Sequence, residues 1–213
     1  MKAVIFDFDG TLADTLPICF YAFQSVFKTF DNRDLTNSEI VAMFGPSETG
    51  IIKENLSSEK IEEAIEMYYT CYQDRHSHYV EDNVEILQLL GDLKSMGFKL
   101  GIFTGKARRS LEISLKELKM EAYFDVIITG DDVVQPKPHP EGIFQALKRL
   151  EASNEEVIFV GDSDADIQAG ISANVFTVGV QWLPNYQSIS FSVQPNDSCY
   201  NVKSFKNLIE KRF

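Results

Sequence analysis

Short apolar runs, each followed by a segment of helical periodicity, constrain this chain more than any other feature. From Glu85 onward the pattern reads helix 86–96 stopped by Gly97, strand 99–103, helix 107–119, strand 125–129, helix 141–150, strand 157–160, helix 164–172 and strand 175–180. The strands are β-branched and aromatic and run for four to six residues, whereas the helical stretches repeat their apolar positions at three- and four-residue steps. Strict alternation of this kind predicts a parallel sheet with helices on both faces. A further apolar run, Ala3-Val4-Ile5-Phe6, is stopped by Gly10 and belongs to the same sheet. After 180 the pattern weakens: 182–186 reads as loop, 198–202 as one more edge strand, and 205–211 as a last helix.

The alternation is interrupted between the first strand and Glu85. Leu16, Phe20, Phe23, Phe27 and Phe30 recur at helical spacing behind Pro17. Thr36-Asn37-Ser38-Glu39 is a capping box ahead of Ile40, Val41 and Phe44, and Gly45 is a stop signal. A third helix spans 59–79 with Ile61, Ile65, Tyr68, Tyr69 and Tyr72 on its buried side. The segment 16–80 is therefore all-helical and inserted directly behind the first strand. That position lets it cover the carboxyl ends of the strands, where open α/β sheets bind ligands.

At the end of the first strand stands Asp7-Phe8-Asp9-Gly10-Thr11. Side chains two apart in extended chain project the same way, so Asp7 and Asp9 share one site. Two close carboxylates repel, which calls for a divalent cation or for a division of labour between nucleophile and acid. The longer string Asp7-Phe8-Asp9-Gly10-Thr11-Leu12-Ala13-Asp14-Thr15 resembles the first motif of the haloacid dehalogenase-like superfamily, mostly Mg-dependent phosphohydrolases. The other parts of that pattern follow in order. Strand 100–103 runs into Thr104-Gly105-Lys106; Lys137 sits in Lys137-Pro138-His139-Pro140; strand 157–160 runs into Gly161-Asp162-Ser163-Asp164-Ala165-Asp166.

The resemblance implies a Rossmann-like catalytic core, 1–15 and 81–213, and a helical cap, 16–80, hinged near Thr15 and 79–83. It assigns Asp7 as nucleophile and Mg²⁺ ligand, and Asp9 as the acid and then the base, offering its backbone carbonyl to the metal. Asp162 completes the metal ligands. Asp166 is expected behind them, orienting a water or Lys137, or simply serving as a carboxylate in the first turn of a helix. The Thr104 hydroxyl and the Gly105 N–H are expected to bind phosphoryl oxygens, as is Lys137, which the following proline biases toward extended backbone. Substrate choice is expected from the cap, with Ser47 and Glu48 in the 44–48 loop as readers and Arg75 near the hinge as a further candidate. His76 and His78 are expected on the polar face of their helix, and His139 in a loop.

The implied activity is hydrolysis of a small phosphorylated metabolite through an aspartyl phosphate. The string 10–15 looks more like phosphoglycolate and pyrophosphate phosphatases than sugar mutases, although a phosphosugar mutase shares all four motifs. A phospho-receiver domain also combines aspartates, Thr and Lys around Mg²⁺. It needs no helical insertion after its first strand, however, and accepts its phosphoryl group on a later one. Asp9 argues against dehalogenation, and no clear imine-forming lysine argues for phosphonate cleavage, though Lys28, Lys53 and Lys60 lie in the cap.

Composition sets the outer bounds. The 213 residues carry a net charge of −12, which disfavours nucleic acid and anionic membranes as partners. It also leaves any attraction for a phosphate ester to a metal ion, Lys137 and backbone N–H groups at helix starts. No apolar stretch approaches the roughly 20 residues of a membrane span, and only Lys2 precedes the first strand, so a cytoplasmic protein is expected. Cys19, Cys71 and Cys199 are odd in number and lack metal-ligand spacing, which suits free thiols. Monomer and homodimer are both compatible with the sequence.

Overall fold

A computed structural model describes residues 2–212. Six parallel strands, β1 (Ala3–Phe6), β2 (Lys99–Phe103), β3 (Val126–Ile128), β4 (Val157–Gly161), β5 (Phe176–Val180) and β6 (Asp197–Cys199), form one sheet in the order β3-β2-β1-β4-β5-β6. This is a Rossmann-like α/β fold. β1 lies inside the sheet between β2 and β4, with Phe6 opposite Ile102 on one side and Val160 on the other. All four of its residues are buried, as a strand paired on both edges and covered on both faces must be.

Successive strand residues face opposite ways, and two apolar layers result. Val4, Phe6, Leu100, Ile102, Ile158 and Val160 point to one face, against α5 (Val84–Ser95), α6 (Arg108–Glu117) and α9 (Val202–Arg212). Ala3, Ile5, Phe103, Val157 and Phe159 point to the other, against α7 (Glu141–Leu150) and α8 (Asp164–Ser172). α7 sits so close to β2 that a Cβ on Gly142 would overlap the Phe103 ring.

The stretch between β1 and α5 is helical throughout: α1 (Leu16–Asp31), α2 (Asn37–Val41), α3 (Glu48–Asn55) and α4 (Ile61–Tyr79). Pro17 lies in the first turn of α1, and Asn32 ends that helix in the left-handed region at φ 52°. The Thr36–Glu39 capping box starts α2. That helix ends at Val41, before the expected stop at Gly45, whose φ of +149° belongs to the following turn. α1 and α4 meet through aromatic pairs, Phe23 with Tyr68 at 4.7 Å and Tyr21 with Tyr79 at 5.1 Å between ring centroids. α4 also docks on α6, where the Tyr72 hydroxyl lies 2.8 Å from Ser114 Oγ.

His76 departs from expectation. It is buried, with Nε2 at 3.0 Å from Ser114 Oγ, because the face of α4 that carries Tyr72 turns toward α6 and takes the residue one turn on with it. The edge strand of the tail begins at Asp197, one residue before the expected start, and pairs with β5. Among the described residues no helix is long and apolar enough to cross a membrane.

Candidate active site

Three neighbouring strands deliver the central side chains. Asp7 follows β1, Thr104 follows β2 and Asp162 follows β4, and parallel pairing in register brings all three to the carboxyl edge of the sheet. Asp7 is held there by its N–H, which donates to the Val160 carbonyl at 2.8 Å, and Thr104 by its N–H to the Ile128 carbonyl at 3.1 Å. The chain then folds back on itself. The Phe8 carbonyl accepts the N–H groups of Thr11, Leu12 and Ala13 at 3.2, 2.9 and 3.1 Å. Gly10 takes φ +85° in this turn, and a side chain there would collide with the Asp162 carboxylate, so glycine is required on both counts.

Around Asp7 the site is crowded with carboxylates. Oxygens of Asp7, Asp162 and Asp166 all lie within 4.8 Å of one another, and all three residues are buried. Lys137 Nζ donates to Asp7 Oδ1 at 2.7 Å and to Asp166 Oδ1 at 2.6 Å. The other Asp166 oxygen accepts Ser163 N–H at 3.0 Å and Ser163 Oγ at 2.5 Å, closing a capping box at the start of α8. Asp166 therefore caps its own helix and orients Lys137 at the same time. Asp162 accepts Thr11 Oγ1 at 2.9 Å and Gln187 N–H at 2.7 Å.

One lysine does not neutralise three buried acids. Burial pushes the Asp7 carboxyl up to about 7; the Lys137 charge pulls it down, while Asp166 and Asp9 repel it further. Burial, then Asp7 and Asp166, hold Asp162 well above the usual carboxylate range. Burial works against the Lys137 ammonium, but Asp166 and Asp7 more than compensate and raise it. A donor set of hard oxygens with surplus negative charge, and no His or Cys among its members, fits a divalent cation such as Mg²⁺.

The Asp9 side chain has other partners. Its Oδ1 accepts the Thr15 hydroxyl and lies 3.1 Å from Lys106 Nζ. Asp7, Asp9, Thr104, Gly105 and Lys137 line one cavity of about 280 Å³, which the inserted segment also lines through Leu16 and Phe23 of α1, Phe44 and Pro46 between α2 and α3, and Ile51 of α3. Asp162 is buried and outside the lining.

The residues expected to read the substrate are placed differently from one another. Glu48 does line the cavity, but its carboxylate is already engaged by Lys106 Nζ at 3.1 Å, Ser110 Oγ at 2.6 Å and Ala107 N–H. Ser47 turns toward Thr49, with their hydroxyls 3.1 Å apart, and is absent from the lining. Arg75 is exposed on α4 and also outside it, because the buried face of that helix passes through Tyr72 and His76 instead.

Lys106 is the residue that the motif reading passed over. It is buried among Asp9, Glu48, Cys19 Sγ at 3.3 Å and the Tyr72 ring at 4.5 Å. Burial disfavours its charge, but Asp9 foremost, and Glu48 less strongly, raise the ammonium well above the ordinary lysine value. The signal was a cation directly ahead of α6, where the positive end of the helix repels it unless carboxylates are supplied.

Comparison with known proteins gives the family of the chain. Residues 4–180 match the model of the haloacid dehalogenase-like hydrolase family. The pyrophosphatase PpaX of Bacillus thuringiensis strain Al Hakam is 35% identical over 182 residues, 85% of this chain and 84% of the relative. A protein from Bacteroides fragilis assigned as a haloacid dehalogenase-like hydrolase superposes with a TM-score of 0.79 at 27% identity, over 96% of this chain and 99% of the other. One from Thermotoga maritima assigned as a β-phosphoglucomutase superposes with a TM-score of 0.74 at 26% identity, over 99% of each chain. The chain is an enzyme that belongs to the haloacid dehalogenase-like hydrolases.

Proposed function

We propose that this enzyme is a Mg²⁺-dependent phosphatase that hydrolyses small phosphate monoesters through an aspartyl phosphate on Asp7. The observation that carries the reading is that Asp7 and Asp9 line one cavity but are differently partnered, Asp7 by Lys137 and Asp9 by Lys106 and Thr15. In the first step an Asp7 oxygen attacks phosphorus, the ester P–O bond breaks, and the leaving oxygen takes a proton from the Asp9 carboxylic acid. In the second, the Asp9 carboxylate removes a proton from water as its oxygen attacks phosphorus. The bond to Asp7 breaks and inorganic phosphate departs.

Thr104 Oγ1, Gly105 N–H and Lys137 would hold the phosphoryl oxygens, with Asp166 keeping Lys137 in place. Asp7, Asp162 and the main-chain carbonyl of Asp9 would hold Mg²⁺. When bound it would neutralise surplus carboxylate charge and polarise the phosphoryl group. Segments 1–15 and 81–213 form the catalytic core in this reading, and 16–80 is a cap that closes over the ester and excludes water. Hydrolysis of inorganic pyrophosphate is a second reading, favoured by the 35% identity to PpaX.

An assay with p-nitrophenyl phosphate tests the proposal. Turnover should require added Mg²⁺ and fall at least about a thousandfold in Asp7→Asn, as removal of a nucleophile demands. Full activity after exhaustive chelation, or in the variant with deamidation excluded, would refute it.

A further inference from the structure

Within the phosphatase reading, on which this rests, we infer that the leaving group of the natural substrate is compact and uncharged. The Glu48–Lys106 pair makes that selection. Besides Cys19 and Glu48, the inserted segment lines the cavity with Leu16, Phe23, Phe44, Pro46 and Ile51, which offer no polar side chain. Among the described residues, Lys106 and Lys137 are the cationic side chains of the lining. Lys137 is held by Asp7 and Asp166, on the phosphoryl side.

The Lys106 charge is already offset by two carboxylates. An ammonium carries three N–H donors. This one donates a hydrogen bond to Cys19 Sγ at 3.3 Å and is ion-paired with two carboxylate oxygens, Asp9 Oδ1 and Glu48 Oε1, each at 3.1 Å. Nor can Glu48 swing aside cheaply, since Ser110 Oγ donates to it at 2.6 Å and Ala107 N–H fastens its other oxygen to the start of α6. A carboxylate or second phosphoryl group on the substrate would meet two carboxylates, a lysine already paired with both, and a lining whose other polar side chains, Thr104, Ser163 and Gln187, carry no positive charge. A buried charge without a partner is strongly disfavoured. A hydroxyl or a short alkyl chain suffers no such penalty, and a cavity of about 280 Å³ keeps the group small.

The test is competition against p-nitrophenyl phosphate turnover, with free Mg²⁺ held constant, by three compounds of similar size: 2-hydroxyethyl phosphate, 2-phosphoglycolate and inorganic pyrophosphate. The uncharged ester should compete at least about tenfold more strongly than either anion, a difference of about 1.4 kcal/mol. Equal or stronger competition by 2-phosphoglycolate or pyrophosphate would overturn the inference while leaving the phosphatase reading intact. Absence of p-nitrophenyl phosphate turnover would overturn both.

Glu48→Gln locates the selection. The amide keeps an oxygen for Ala107 but removes the charge that occupies Lys106, so the ratio should move about tenfold toward 2-phosphoglycolate. An unchanged ratio in a variant with a normal thermal transition would overturn the role of the pair. If that variant fails to fold, the competition on the unmodified enzyme still decides whether the leaving group is uncharged.

Discussion

Asp7 and Asp9 are separated by one residue and yet have different surroundings, which suits the nucleophile and proton donor of the proposed mechanism. Asp7 lies between Lys137 and the buried carboxylates; Asp9 is half-buried against Lys106 and Thr15 at the cavity wall. General acid catalysis matters least when the departing oxygen is already a weak base. Asp9→Asn should therefore lower kcat about 10²- to 10⁴-fold for alkyl phosphates and distinctly less for aryl phosphates. Equal losses across a leaving-group series would assign Asp9 a structural role. His76 makes a separate residue-level prediction. Burial, and then the nearby Lys106 charge, push its imidazole from the ordinary 6.5 down to about 4. Between those values the unfolded chain binds a proton that the folded one refuses, so stability is lost as pH falls from about 6.5 toward 4 and is unaffected by this group above that window. Urea unfolding at pH 4.5 and 7 should show a smaller pH-dependent loss in His76→Gln than in the parent. Identical losses would show that other groups govern acid sensitivity.

At the level of elements, the strand ends place the chemistry and the helix starts hold it. Asp166 fixes α8 and Lys137 together, and Glu48, at the start of α3, binds the start of α6. One helix is held by absence of a side chain. Gly142 in the first turn of α7 lets that helix settle onto the Phe103 ring of β2, the strand that leads to Thr104. Gly142→Ala forces either the ring or the helix to shift. It should destabilise the fold by about 1–3 kcal/mol, the usual cost of overpacking, although alanine is the better helix former. Chemical denaturation measures this, and a neutral or stabilising result would mean that α7 is not fixed by that contact.

For the whole molecule, the inserted helices and the sheet share one apolar cluster. Phe8, Leu12, Phe23, Tyr68 and Tyr72 belong to it together with Val4, Leu100, Leu111 and Val160. Trp182 ties a distant segment to the turn behind β1 by donating from Nε1 to the Thr11 carbonyl at 2.7 Å, with its ring edge-on to Phe205 at 5.6 Å. A ligand bound near Asp7 and Asp162 should thus stabilise the entire fold. At a hundredfold excess over Kd, Mg²⁺ should raise the thermal midpoint by about 5–10 °C, from about 2.7 kcal/mol of linkage and about 2–4 °C per kcal/mol for a chain of this size. Asp162→Asn should remove most of the shift. A midpoint indifferent to Mg²⁺ in the parent protein would count against a cation among these carboxylates.

The strands, the helices and the order of the four motifs were legible in the chain because periodicity, capping and strand ends are local properties. Parallel pairing then leaves little choice about where Asp7, Thr104 and Asp162 meet. What tertiary structure alone decided is which face of each inserted helix turns inward. The rotation of α4 against α6 buries His76 and leaves Arg75 outside, although both lie on one helix one residue apart. The approach of α3 to α6 makes Glu48, at the cavity wall, the partner of Lys106, a residue that local pattern could not distinguish from a solvated lysine. Local sequence fixes phase along a helix, but the partner that a phase meets depends on how elements pack when separated by about sixty residues of chain, as Glu48 and Ser110 are.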